Sequence, residues 1–287
     1  GRRAAGSRGV SAALASGGLR KMEASLDGGA VASYRLPVGE ERIALDAFLG
    51  KALRLDYRGA IHCIHCGRKT GKSFNQGYCY PCFRRLARCD SCIVSPQKCH
   101  YHAGTCREPA WGEANCMIEH IVYLANTSGL KVGITRGSQV PTRWIDQGAT
   151  QALPLFRVAS RLDSGLLEVV FAAHVADKTA WQTMLKGPSA ELDLAAERER
   201  LLAVCAGEID ALLRERGVAA ITPVPEAQLL HIDYPVLEYP QRVRSLNLDK
   251  QPQVAGTLLG IKGQYLLLDS GVINIRRHAG YQVSLSA

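Results

Sequence analysis

No stretch of this chain approaches the ~18 uninterrupted apolar residues that a membrane-spanning helix needs. The most apolar run, around Leu166 to Ala176, is interrupted by Glu168 and His174. Acidic residues are missing from Gly1 to Lys21, a stretch that carries Arg2, Arg3, Arg8, Arg20 and Lys21. That profile loosely suits a transit peptide, but its apolar part is too short and too mixed for a secretory signal. The sequence also starts without Met, as a fragment or a processed product does, and residues 1–16 read as a mobile tail. Internal repeats are absent, as is any low-complexity run beyond that tail. Without a secretory signal, the expected location is the cytoplasm, and no membrane is expected as a partner.

What is present is enough chain for real cores: 287 residues can form one large domain or two to three small ones. The net charge of +9 is unevenly spread. Residues 1–110 hold 18 Lys/Arg against 8 Asp/Glu, whereas the remainder holds 17 against 18. A basic surface of that kind raises the local concentration of polyanions and favours nucleic acid. The plainer alternative is a basic, soluble surface with no specific partner.

Nine of the ten cysteines fall between Cys63 and Cys116, several of them two residues apart and mixed with histidines, which favours metal over a disulfide framework. Cys63-Ile-His-Cys66-Gly and, after twelve residues, Cys79-Tyr-Pro-Cys82 have the spacing of two zinc knuckles that close one tetrahedral site. Thiolates at that spacing reach one ion because the turn between them directs both sulfurs inward. Four sulfurs at ~2.3 Å leave no open position, so the ion supplies folding energy and does no chemistry. A second cluster follows: Cys89, Cys92, Cys99, His100, His102, Cys106, Cys116 and His120. Spacing pairs Cys89 with Cys92 and Cys99 with His102, but Cys116 competes for membership because it stands just before the next unit. His100 and His120 read as packing or hydrogen-bonding residues, and Cys106 and Cys205 as buried thiols. Catalytic zinc is disfavoured, since the cluster shows no open position. One or two structural Zn²⁺ ions are expected.

The expected fold class is α+β: a zinc-ribbon segment and an α/β unit, flanked by small β segments at both ends. Residues 17–59 form the N-terminal β segment, with strands near Val31–Leu36 and Ala52–Tyr57. Residues 60–117 are the zinc-binding region. Residues 118–187 are the α/β unit, opening with strands Ile121–Ala125 and Leu130–Ile134 around the turn Asn126-Thr127-Ser128-Gly129. A short helix then starts near Pro141, carries Arg143 and Gln147, and stops at Gly148. A third strand covers Leu155–Ala159, and helical spacing from Ser164 onward places Leu166, Leu167, Val170 and Phe171 on one side. Residues 188–222 read as one amphipathic helix, Ser189 to Arg216, ended by Gly217. Residues 223–287 form the C-terminal β segment, with a hairpin at Asp269-Ser270-Gly271. The two terminal β segments carry no motif; they could pair with each other into one small barrel.

The order Ile121-Val122-Tyr123, Lys131-Val132-Gly133, Arg143, Glu168 resembles the GIY-YIG nuclease superfamily, whose two motifs lie on hairpin strands and are followed by a helical Arg and a helical Glu. The resemblance covers about 70 residues of short motifs, roughly a quarter of the chain. It implies a phosphodiester hydrolase acting on DNA or RNA. In that reading Tyr123 is the general base, its pKa lowered by the neighbouring Lys131 amine. Arg143 holds non-bridging phosphate oxygens. Glu168 binds one Mg²⁺ or Mn²⁺ that supports the leaving group. Lys131 stands where that superfamily has a second tyrosine, and Gln147 where it often has His. More narrowly, the chain from about Gly18 onward is similar to an uncharacterised bacterial group, domain of unknown function 2797. That similarity implies Cys92, Cys99, His102 and Cys116 as the second metal set, with Cys89 outside it, and implies that Gly18 to Met22 belong to a first strand.

Each residue also has a plainer reading. Tyr123 suits a core position with its hydroxyl satisfied; Arg143 suits an ion pair with Asp146 or Glu168; Glu168 suits a solvated helix face; Trp144 and Trp181 suit the core. Arg68, Lys69 and Lys72, between Gly67 and Ser73, suit a phosphate contact or a solvated loop. The alternatives to a nuclease are a non-catalytic nucleic-acid-binding zinc protein and an interaction scaffold.

Overall fold

The structure, a computed structural model, describes residues 13–287. Residues 1–12 of the expected tail lie outside the described residues. The remaining residues expected in the tail, 13–16, open strand β1 (Ala13–Gly18) instead, because Ala15 to Gly18 pair with Val283–Leu285 and their neighbour Gln282.

The N-terminal segment continues through β2 (Glu23–Ser25), β3 (Ser33–Val38), β4 (Glu41–Ala44) and the long β5 (Ala52–His62). β6 (Lys69–Thr70) turns back onto β5 and leads into a region of short helices: α1 (Tyr80–Arg85), α2 (Ser91–Val94) and α3 (Pro109–Asn115). The α/β unit comprises β7 (His120–Asn126), β8 (Leu130–Arg136), α4 (Thr142–Asp146), β9 (Gln151–Val158), α5 (Arg161–Ala172) and the short α6 (Trp181–Met184). Helices α7 (Leu194–Val204) and α8 (Ala206–Arg216) follow, then β10 (Ile221–Pro223), β11 (Leu230–His231) and β12 (Ser245–Leu246). Strands β13 (Gln253–Lys262), β14 (Tyr265–Leu268), β15 (Gly271–Asn274) and β16 (Tyr281–Ser286) end the chain.

The terminal segments do pair with each other, but not as a barrel. One sheet runs β1-β16-β5-β13-β14-β15-β12, with β6 beside β5 as a side branch, so the path stays open. β5 is its pivot: Asp56 faces Ser284 of β16 on one side and Gln253 of β13 on the other. A second sheet runs β10-β9-β7-β8, with β11 also on β9. The C-terminal segment, expected to begin at residue 223, therefore first lends Leu230 and His231 to the α/β unit.

β7 is central in that second sheet and buried along its whole length. Its alternation serves two cores, since successive side chains point to opposite faces. Ile121, Tyr123 and Ala125 join the core shared with the terminal β strands. Val122 and Leu124 pack with Leu167, Phe171, Leu201 and Ile209 of α5, α7 and α8.

The stretch read as one helix from Ser189 is two. Ser189 and Leu192 are drawn to the sheet instead: Ser189 Oγ donates to the Thr127 carbonyl (3.1 Å), and Leu192 N–H to Gln151 Oε1 (2.9 Å). Asp193 caps α7 by accepting from Ala196 N–H at 3.0 Å. The bend falls at Cys205 (φ −98°, ψ 6°), which lets Leu201, Cys205 and Ile209 all reach one core. Trp144 is buried as expected, but Trp181 is 38% exposed and stacks flat on Tyr265, with ring centroids 5.5 Å apart. Among the described residues no helix is long and apolar enough to cross a membrane.

Candidate functional site

Two features carry chemistry: a cysteine-built region and a cleft beside it. In the first, Cys63, Cys66, Cys79 and Cys82 bring their sulfurs within 4.8 Å of one another. Local backbone explains why. Gly67 adopts φ +75°, and its N–H closes a turn onto the Cys63 carbonyl at 2.9 Å, folding Cys66 back towards Cys63. Pro81 sits in the first turn of α1, where its missing N–H costs nothing, and the helix carries Cys82 next to Cys79. The Cys66 and Cys79 sulfurs are 3.7 Å apart, close to the ~3.8 Å edge of a tetrahedron with ~2.3 Å metal–sulfur bonds. Burial pushes the Cys63 thiol up, but backbone N–H groups of Cys66, Cys79 and His65 outweigh it and bring the pKa down to about 6. Burial, with the thiols of Cys79, Cys66 and Cys63 beside it, pushes Cys82 up to about 12. Thiols this close share protons, so the first leaves early and the last leaves late. Donor type and spacing both fit a metal ion, and this cluster can bind zinc.

The second cluster is arranged differently. His100 Nε2 meets Asp90 Oδ2 at 2.9 Å and its Nδ1 meets Thr105 Oγ1 at 2.7 Å, so both ring nitrogens are engaged. His102 is exposed, edge-on to Tyr101. Cys89 is buried beside the first site and accepts from Asn75 Nδ2 at 3.5 Å. Cys92, Cys99, Cys106 and Cys116 line one small cavity. Burial, then Asp90, Cys99, Cys116 and Cys106, push the Cys92 thiol up to about 11. His120 is fully buried, with Nδ1 on the Ile118 carbonyl at 2.7 Å; burial lowers its pKa to about 4 and keeps it neutral. Cys205, also buried, lies with His174 and Glu208 in a further group whose donor atoms are within 4.8 Å of one another.

The cleft, about 920 Å³, lies between the cysteine-rich region and the open edge of β8. Lys131 and Arg136 come from β8, Arg143 from α4, Arg161 and Glu168 from α5, Arg88 from the cysteine-rich region and Arg276 from the C-terminal segment. Among the described residues, none of these six cations has a carboxylate within 4.0 Å; of the cleft's cations only Lys21 is paired, with Asp146. Burial holds Arg161 below the ordinary arginine range although Cys116 opposes it, and burial together with nearby Arg143 does the same for Arg276. Arg161 Nε and Arg88 Nε are buried without a protein partner. Glu168 lies among these cations; burial raises its pKa, while Arg161 and Lys131 pull it down.

Tyr123 departs from its expected role. Its side chain is sealed beneath the cleft at 0% exposure, and its hydroxyl donates to Gln147 Oε1 at 2.7 Å. Lys131 does not lower its pKa. Burial raises it to about 12, against the pull of Arg143 and Gln147, the reverse of the shift expected of a general base. The structure thus brings Lys131, Arg143, Glu168 and Gln147 to one cleft and leaves Tyr123 under its floor. Arg68, Lys69 and Lys72 lie outside it, exposed around β6. Arg88, Arg136, Arg161 and Arg276 were not legible as site residues: they are far apart in the chain and belong to no motif, although Arg136 directly follows the Lys131-to-Thr135 run.

These features define an α+β protein with a four-cysteine cluster positioned to hold a metal ion beside a cationic cleft. The family model described as "Protein of unknown function (DUF2797)" matches residues 50–283, and the chain belongs to that family. No curated protein and no solved structure matches it.

Proposed function

We propose that this protein binds nucleic acid by its phosphate backbone in the cleft, with a zinc ion in the Cys63, Cys66, Cys79 and Cys82 cluster holding the adjoining region in place. The observation that carries the reading is the set of unpaired cations on one concave surface. Holding guanidinium groups in a half-buried cleft without a counter-charge is costly, and phosphate oxygens relieve that cost with paired, charge-assisted hydrogen bonds. Half-buried Tyr78 and Trp111 also line the cleft and offer faces on which bases can stack.

A second reading, phosphodiester hydrolysis, draws support from Glu168 opening into the same cleft as Arg143 and Gln147. The hairpin β7–β8, helix α4 with Arg143 and helix α5 with Glu168 also keep the order of hairpin, helical Arg and helical Glu in the GIY-YIG resemblance. A divalent ion on Glu168 would supply Lewis-acid stabilisation of the phosphate. Tyr123 would act only as a positioning residue, holding Gln147 through its hydroxyl.

Fluorescence anisotropy with labelled single- and double-stranded DNA and RNA tests the first reading. Wild type should bind at least one of these, and the Lys131→Ala, Arg143→Ala double variant should bind about tenfold or more weakly, given ~1.5–3 kcal/mol for hydrogen bonds to charged groups. A wild type that ignores all four ligands, or a double variant that binds as well, rejects it. Adding Mg²⁺ or Mn²⁺ to the same mixtures tests hydrolysis: product that forms with wild type and vanishes with Glu168→Gln supports it, and product that persists points to another site.

A further inference from the structure

The stretch from Asp90 to Met117 has little of its own to hold it folded. None of the four hydrophobic clusters contains any of its residues, and only Pro96 and Gly112 within it are buried. Its secondary structure is α2, of four residues, α3, of seven, and two single 3₁₀ turns at Pro96–Lys98 and Tyr101–Ala103. Helices that short do not persist in water by themselves. Yet the stretch is docked closely. A methyl group at Gly165 of α5 would lie 2.5 Å from the backbone nitrogen of Gln97, and Arg161 donates to the Ile93 carbonyl at 2.6 Å. Something other than apolar packing has to hold this segment in one shape.

We propose that Cys92, Cys99, Cys106 and Cys116 bind a second structural zinc ion, with His102 outside the ligand set. These four cysteines surround a cavity of about 20 Å³, about the room one water takes and ample for a bare dication. Each stands at the end of a short turn: Cys92 in α2, Cys99 just after the first 3₁₀ turn, Cys106 shortly before α3 and Cys116 at its C-terminus. One ion therefore ties together every element of the segment. Cys106 is directed inward, since a methyl group at Gly112 would meet its sulfur at 3.3 Å.

The nearby alternatives are already engaged. Asp90, Cys92 and His100 bring donor atoms within 4.8 Å of one another. However, both nitrogens of His100 are bonded, and the Asp90 carboxylate takes His100, the Ser91 N–H at 2.7 Å and Arg107 at 3.3 Å. The four thiols ring the cavity more loosely than the ribbon cysteines do, and side-chain rotation draws them onto the ion with release of their protons. A soft set of four sulfurs selects zinc over the hard cations. The inference is independent of what occupies the cleft.

Metal content of the purified full-length chain, measured by mass spectrometry against protein concentration, tests it. Wild type should carry two zinc ions per chain, Cys106→Ser one, and His102→Ala two. One ion in wild type, two in Cys106→Ser, or one in His102→Ala overturns the assignment. If Cys106→Ser does not fold, alkylation of native wild type with N-ethylmaleimide decides. Cys92, Cys99, Cys106 and Cys116 should resist labelling until a chelator is added. Labelling before chelator, or protection lifted only by a reductant, as a disulfide would give, overturns it.

Discussion

At position 133 a side chain has nowhere to go. Gly133 faces Tyr123 across the β7–β8 pair, and a methyl group there would lie 2.5 Å from the Tyr123 hydroxyl oxygen. The glycine of the Lys131-Val132-Gly133 run therefore has a packing reason: the hydroxyl end of the tyrosine ring occupies the space a side chain would need. Gly133→Ala should destabilise the protein by about 1–3 kcal/mol, as overpacking of a filled core does, because the ring must move against Trp144, 5.5 Å away. Urea unfolding measures this; an unchanged midpoint would mean that the ring has room. Both residues were legible in the sequence as a motif pair. A core position for Tyr123 with its hydroxyl satisfied was one of the two readings the sequence offered, but the choice between them was not legible, because burial of the ring comes from strands of the terminal sheet distant in the chain.

Helix α5 shows how an element is held from both ends of the sequence pattern and from outside it. Its start is local: Ser160 caps it by accepting from Asp163 N–H at 3.2 Å. Asp163 itself is 2% exposed and is matched by Arg216, at the far end of α8, with Nε to Oδ1 at 2.6 Å. Arg216→Met should cost about 3 kcal/mol, since it strands a buried carboxylate whose remaining partner is the Ser160 hydroxyl. Thermal unfolding of the variant checks this, and a change below about 0.5 kcal/mol, the size of a surface substitution, would refute it. Apolar periodicity was enough to place α5. It could not place the ion pair, or the bend at Cys205 that splits α7 from α8, because both depend on how α7 and α8 wrap α5.

Across the whole molecule, the cationic cleft draws on segments spread from Arg88 to Arg276. If all six unpaired cations meet phosphates, the logarithm of the binding constant should fall against the logarithm of salt concentration with a slope of about −5 for duplex DNA and about −4 for a single strand. Arg143→Ala should reduce that slope by about one. A slope near zero would show that the cleft does not work by releasing counterions. Segmental charge pointed elsewhere: the excess of Lys/Arg lies in residues 1–110, yet only Arg88 of the six comes from there. Net charge along the chain counts acids that folding carries to other surfaces.

The sequence by itself determined the ribbon cysteines, the α+β class and the elements of the α/β unit. Two-residue cysteine spacing, strand alternation and helical periodicity are local, and each fixes the geometry of a few neighbouring residues. Tertiary structure alone decided that the chain ends join one open sheet, that Tyr123 lies below the cleft rather than in it, and that Cys106 and not His102 faces the second cavity. Those outcomes depend on which surfaces meet, and surfaces meet through contacts between residues far apart in the chain.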